Sequence, residues 1–99
     1  MKYNKLVRDR IPEILDMKGV PYEKRIANDI EYKEELIKKL EEEIVEFKEA
    51  GSVEELADIL EVIDALKKLP DYANVLDVQK TKREEKGAFE KRLILNGEK

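Results

Sequence analysis

Residues 40–60 read Leu40-Glu41-Glu42-Glu43-Ile44-Val45-Glu46-Phe47-Lys48-Glu49-Ala50-Gly51-Ser52-Val53-Glu54-Glu55-Leu56-Ala57-Asp58-Ile59-Leu60. On the N-terminal side of Gly51 the apolar residues Ile30, Leu36, Ile37, Leu40, Ile44 and Phe47 recur at helical spacing, which predicts a long amphipathic helix ending at Gly51. Asn28 and Asp29 supply capping oxygens at its start. Ser52 followed three positions later by Glu55 has the form of a capping box. A second helix therefore starts at once and runs through Leu56, Ile59, Leu60, Ile63 and Leu66 to Leu69, ahead of Pro70. Because the connection is barely longer than Gly51, the two helices are expected to fold back as an antiparallel hairpin. The second helix is apolar around most of its circumference, since Val62 and Leu69 lie off the stripe of Leu56, Leu60 and Ile63. Such a helix packs on two sides, and in so short a chain the second side is expected to be another subunit.

Working outward, Pro12 falls in the first turn of a short helix near residues 10–18 that Asp9 can cap, and Gly19 with Pro21 closes it. Tyr22 and Ile26 alternate along the charged stretch 21–27, which reads as a short strand or extended arm. After Pro70, Asp71 can cap a fourth helix through Val75, Leu76 and Val78 into the charged run Lys80 to Lys86, ended by Gly87. The tail at 89–95 is β-leaning and stops at Asn96-Gly97. The expected architecture is a single domain over 1–99, mainly all-α, with an antiparallel hairpin or bundle of about four helices. A short β arm at 21–27 is expected to pair with the tail at 89–95.

Composition narrows the chemistry. The 99 residues are 44% charged and 41% hydrophobic, with a formal net charge of −4, so polyanions meet net repulsion and nucleic-acid binding is not expected. Without cysteine or histidine the chain has no disulfide, no thiolate or imidazole metal site and no His proton shuttle. Carboxylates, Lys, Arg, Tyr or an oxygen-held metal must do any chemistry. No apolar run reaches membrane-spanning length and the start lacks an apolar signal segment, so a cytoplasmic protein is expected.

The acidic residues of the hairpin are the informative feature. Residues three or four apart share a helix face, which pairs Glu43 and Glu42 with Glu46, and Glu55 with Asp58. Counted from Gly51 at about 1.5 Å per residue, Glu46 and Glu55 stand roughly 6–8 Å from the turn, and Glu43 and Asp58 roughly 11–12 Å. The four are thus level across an antiparallel pair. If they face one another, unit charges about 4 Å apart cost about 4 kcal/mol at an effective dielectric near 20, and a divalent cation reverses that cost. All-oxygen ligation suits Mg²⁺, or alternatively Mn²⁺, and Mg²⁺ held by a few carboxylates recruits substrate phosphates. A plainer reading stands beside this one: in a chain with 24 acidic residues such pairs also arise on a solvated face, and Glu55 can be simply the partner of Ser52. Helical projection nevertheless puts Glu43 at the edge of the Leu36, Leu40 and Phe47 stripe, where a carboxylate needs a partner.

The runs Glu42-Glu43-Ile44-Val45-Glu46 and Glu55-Leu56-Ala57-Asp58 resemble the EExxE and ExxD motifs of the MazG-like all-α nucleotide pyrophosphohydrolases. The opening Tyr3-Asn4-Lys5-Leu6-Val7-Arg8-Asp9-Arg10-Ile11-Pro12-Glu13-Ile14 and the closing Lys86-Gly87-Ala88-Phe89-Glu90-Lys91-Arg92 are similar to a short branch labelled phosphoribosyl-ATP pyrophosphohydrolase-like. The resemblance implies that Glu43, Glu46, Glu55 and Asp58 ligate Mg²⁺. It also implies that Glu42 is an accessory carboxylate that orients or deprotonates the attacking water, and that helical subunits assemble as homodimers or homotetramers. The implied activity is cleavage of the α–β phosphoanhydride of a nucleotide, leaving a monophosphate and pyrophosphate. Catalysis is then expected from Glu42, Glu43 and Glu46. Substrate phosphates are expected on Lys5, Arg8, Lys86 and Arg92, with Tyr3, Tyr22 and Phe89 as candidates to stack on a base. Only eight residues separate Glu46 from Glu55, fewer than in typical relatives, so base selectivity does not carry over. The histidine that commonly follows the ExxD motif in phosphoribosyl-ATP enzymes is absent. Phosphoribosyl-ATP is therefore the alternative substrate, and a noncatalytic helical oligomerisation module is the alternative class.

Overall fold

In extended backbone ahead of the long helix, Asn28 accepts the Glu31 amide on its side-chain oxygen at 2.9 Å, and this cap starts helix α2, Asp29–Ala50. The computed structural model describes residues 4–98. At the far end of α2, Gly51 takes φ 63° and donates its amide to the Phe47 carbonyl at 2.8 Å. A side chain at that left-handed position would be strained, so glycine ends the helix and frees the chain to reverse. Helix α3, Val53–Lys67, follows after Ser52 and packs back along α2 as an antiparallel hairpin. Leu36 and Val62 are buried in the seam at 3% and 8% exposure, with Leu40, Phe47, Ile59 and Leu66 half-buried around them. Lys33 closes the open end, bonding Asp71 at 2.5 Å and lying 5.2 Å from the centre of the Tyr72 ring.

The short first helix, α1, spans Ile11–Met17 with Pro12 in its first turn, and α4 spans Val75–Lys86. The all-α hairpin architecture thus agrees with the periodicity, but several finer expectations do not hold. The described residues contain no strand, so the arm at 21–27 and the tail at 89–95 do not pair. Ile26, Phe89, Ile94 and Leu95 are each more than nine-tenths exposed. A lone two-stranded ladder needs a packed face to hold it, and here alternate side chains meet none. Nor do the helices gather into a four-helix bundle: α2 and α3 are the one pair with an extended contact among the described residues, and every described residue from Ala73 onward is exposed. Caps differ as well. Arg10, not Asp9, precedes α1, and Asp71 lies in a 3₁₀ turn, Pro70–Tyr72, with α4 starting after Asn74.

The consequence is an open molecule. Its accessible surface is 9554 Å², against about 5,800 Å² for a compact monomer of this mass. Its radius of gyration is 17.8 Å, where about 13 Å is usual for a folded chain of 100 residues. None of the described helices is long and apolar enough to cross a membrane.

Candidate active site

Helical spacing places Glu43 on the seam of the hairpin, and there it is buried, at 6% exposure. One of its oxygens, Oε1, faces Lys39 Nζ at 3.4 Å, one turn earlier on α2. The other, Oε2, is buried with no hydrogen-bond partner. Burial, first, and then the neighbouring Glu46 charge push the Glu43 carboxyl above the ordinary glutamate range, Lys39 pulling the other way and Asp58 adding to the rise. The charges that act on Glu43 thus come from Glu46 on its own helix and from Asp58 on α3. A buried, unpartnered carboxylate oxygen beside two more carboxylates is the donor chemistry that a hard divalent cation accepts. The residues fit such an ion. Among the described residues, no group of three or more carboxylates is drawn together into a ready-made metal cage.

The remaining residues singled out by the sequence divide into four groups. Glu42 and Asp58 are held by the segment ahead of α1: Lys5 Nζ donates to Glu42 Oε1 at 2.9 Å and the Arg8 guanidinium to Asp58 Oδ1 at 2.6 Å. Lys5 is raised above its usual range chiefly by that Glu42 bond, and Glu42 is lowered chiefly by the same bond. Glu55 accepts a hydrogen bond from Ser52 Oγ, and Ser52 makes no backbone cap of its own, so the two residues pair side chain to side chain in place of the expected capping box and Glu55 is turned to the bend. Lys86 and Arg92 are exposed on the end of α4 and on the tail, and no ion pair joins them to the hairpin carboxylates among the described residues. Tyr3 lies outside the described residues, Phe89 is 99% exposed, and Tyr22 is half-buried.

Sequence reasoning missed Lys39, which approaches Glu42 at 3.5 Å as well as Glu43. Its signal was present, since it stands three and four residues ahead of those two glutamates on one helix face. A cavity of about 570 Å³ opens between the N-terminal segment, α1, the arm and the start of α2. Leu6, Val7, Ile11, Leu15 and Tyr22 give it apolar walls, Glu31 and Glu35 add carboxylates, and Lys5 and Arg8 line it while pairing with Glu42 and Asp58 of the hairpin.

The opposed behaviour of Glu42 and Glu43 makes a testable pH profile. With its carboxyl raised, folded Glu43 holds a proton that the unfolded chain has lost, so its effect on stability becomes unfavourable as pH rises through the interval above the unfolded value. Glu42, lowered by Lys5, contributes stability that is lost as pH falls through its folded value. Thermal melts in chelator between about pH 4 and pH 8 should show the Glu43→Gln chain losing the decline on the high-pH side while keeping the acid-side loss. Parallel profiles for the two chains would contradict the assignment.

No protein-family model matches the chain, and comparisons with curated proteins and with solved structures return no match either.

Proposed function

We propose that this chain is a magnesium-dependent nucleotide pyrophosphohydrolase that works as a homodimer or homotetramer, cleaving the α–β phosphoanhydride to a monophosphate and pyrophosphate. The observation that carries the reading is the buried, partnerless Glu43 Oε2 in the seam beside Glu46 and Asp58. Glu43, Glu46 and Asp58 would hold Mg²⁺ or Mn²⁺, with Glu55 joining them when its bond to Ser52 is released. When bound, the cation supplies neutralisation of the phosphate charge and a more acidic water for attack at the α-phosphorus.

The chain's own groups supply the rest. Glu42, hydrogen-bonded yet only half-buried, orients the attacking water and accepts its proton. Lys5 and Arg8 provide donors for the outer phosphate oxygens, which carry the charge that pyrophosphate takes away. The nucleoside part fits the adjoining cavity, whose size falls within the roughly 300–1,000 Å³ of small-molecule sites and whose Tyr22 offers an aromatic face.

Incubating the purified chain with Mg²⁺ and a panel of nucleoside triphosphates and phosphoribosyl-ATP, with pyrophosphate detected, tests the proposal and separates the two substrate readings. Pyrophosphate from at least one compound is expected. Mg²⁺ alone should also raise thermal stability, by about 2.7 kcal/mol at a hundredfold excess over its dissociation constant. No product from any nucleotide, with melting unchanged by Mg²⁺, would leave a noncatalytic helical module.

A further inference from the structure

Two of the carboxylates around the proposed cation site are already engaged by cations of the chain itself. Lys5 holds Glu42 at 2.9 Å and Arg8 holds Asp58 at 2.6 Å, and Lys39 stands 3.4 Å from Glu43. Glu42, Glu43, Glu46 and Asp58 thus face Lys5, Arg8 and Lys39 at a formal balance of −1. The three cations are not equivalent. Lys39 sits on α2 within a turn of its partners, whereas Lys5 and Arg8 come from the segment ahead of α1, and they alone also line the cavity. Leu6 and Val7 between them are half-buried, which keeps that backbone against the molecule while the two long side chains retain freedom to turn.

Resting on the pyrophosphohydrolase reading, we infer that Lys5 and Arg8 are resident counter-ions which the divalent cation displaces from Glu42 and Asp58, and that displacement turns both toward the substrate's phosphates. Charge favours this exchange. Two single positive charges leave the carboxylates as one double charge arrives, so the cluster is compensated before and after. Strength favours it as well, because both pairs are substantially exposed, with side-chain exposures of 46% and 34% for Lys5 and Glu42 and 55% and 39% for Arg8 and Asp58. Pairs so wetted are weak and yield to a competing ion. Once released, the ammonium and guanidinium regain their full donor sets, which a phosphate can use and a carboxylate-bound cation cannot offer in full. The order of binding follows: metal first, nucleotide second.

The test is Mn²⁺ binding without nucleotide, followed by the electron paramagnetic resonance of free Mn²⁺. Removing the two competitors in the double variant Lys5→Met with Arg8→Met should tighten Mn²⁺ binding on the order of tenfold, the combined worth of two exposed pairs. The charge-preserving Lys5→Arg with Arg8→Lys should bind as the natural chain does. Each single Met variant should show part of the gain, and circular dichroism checks that helix content is retained. As a second readout on the unaltered chain, Mn²⁺ should increase acylation of Lys5, followed by mass spectrometry, and leave that of Lys18 unchanged. Measurable binding that is equal or weaker in the Met variants overturns the displacement and leaves the metal site standing. No binding by any of the chains overturns the pyrophosphohydrolase reading beneath it.

Discussion

Glu43→Gln is expected to abolish pyrophosphate release and, in the absence of metal, to make the chain more stable. Both effects come from one atom. Glu43 Oε2 is buried without a partner, and a buried acceptor left unsatisfied costs about 1–3 kcal/mol, more when it is charged. The amide carries no net charge, and it can turn an N–H₂ donor toward Glu46 or Asp58, which now attract it. A gain of about 1 kcal/mol would raise the melting temperature by about 4–8 °C in a chain of this size. Removal of an outer partner of a metal site already costs about 10–100-fold in affinity or activity, and loss of a ligand should exceed that.

Asp58→Asn should also lose turnover, but without the gain in stability, because Asp58 is half-buried and its charge is met by Arg8 at 2.6 Å. The contrast separates a site under electrostatic load from an ordinary ion-paired surface. Circular dichroism melts in chelator, alongside pyrophosphate assays with Mg²⁺, measure both quantities. Full turnover in both variants would remove Glu43 and Asp58 from the catalytic account. A Glu43→Gln chain that melts lower than its parent would show the buried carboxylate to be structural.

What the sequence revealed depended on whether one element could decide the matter alone. Asn28, Gly51 and the apolar spacing between them define α2 from local rules, and Glu43 could be placed on the seam because helical phase is a property of a single helix. The reversal after Gly51 was legible for the same reason. Pairing of the arm with the tail was not, because a strand's state depends on what it lies against, and alternation at Tyr22 and Ile26 carries no information about a partner. The capping box at Ser52 shows a subtler failure: the residues are in register, yet the hydroxyl donates to Glu55 rather than capping the backbone. Long-range ion pairs were the least legible. Nothing in the chain's spacing tells Lys5 to reach Glu42, or Arg8 to reach Asp58, across 37 and 50 residues.

Leu60→Lys is expected to convert an oligomer into a monomer that melts far lower. On α3, Val53, Leu56, Leu60 and Ile63 repeat at helical spacing and are 75%, 44%, 55% and 37% exposed. On α2, Ile30, Ile37 and Ile44 form a second stripe at 75%, 39% and 42%, and a cavity of about 660 Å³ lies open beside Ile30, Ile37 and Leu69. The hairpin leaves these faces uncovered, since Leu36 and Val62, at 3% and 8% exposure, are the only buried apolar residues among those described. Its surface exceeds that of a compact monomer by far more than the roughly 800 Å² per partner that a stable interface needs. In the proposed homodimer or homotetramer a second copy would cover them, because each chain brings the same two stripes and a two-fold axis would set stripe against stripe. Burying one leucine contributes about 1.5–3 kcal/mol, and a symmetric pair contributes it twice, so a lysine there should weaken association by on the order of 10²–10⁴. Sedimentation equilibrium measures the assembly, and melting should depend on concentration in the natural chain and not in the variant. A natural chain that sediments as an 11.6 kDa monomer with a concentration-independent melt would sink the assembly. It would also leave α3 an apolar helix exposed to water, a state that the burial of so few residues gives no means to sustain.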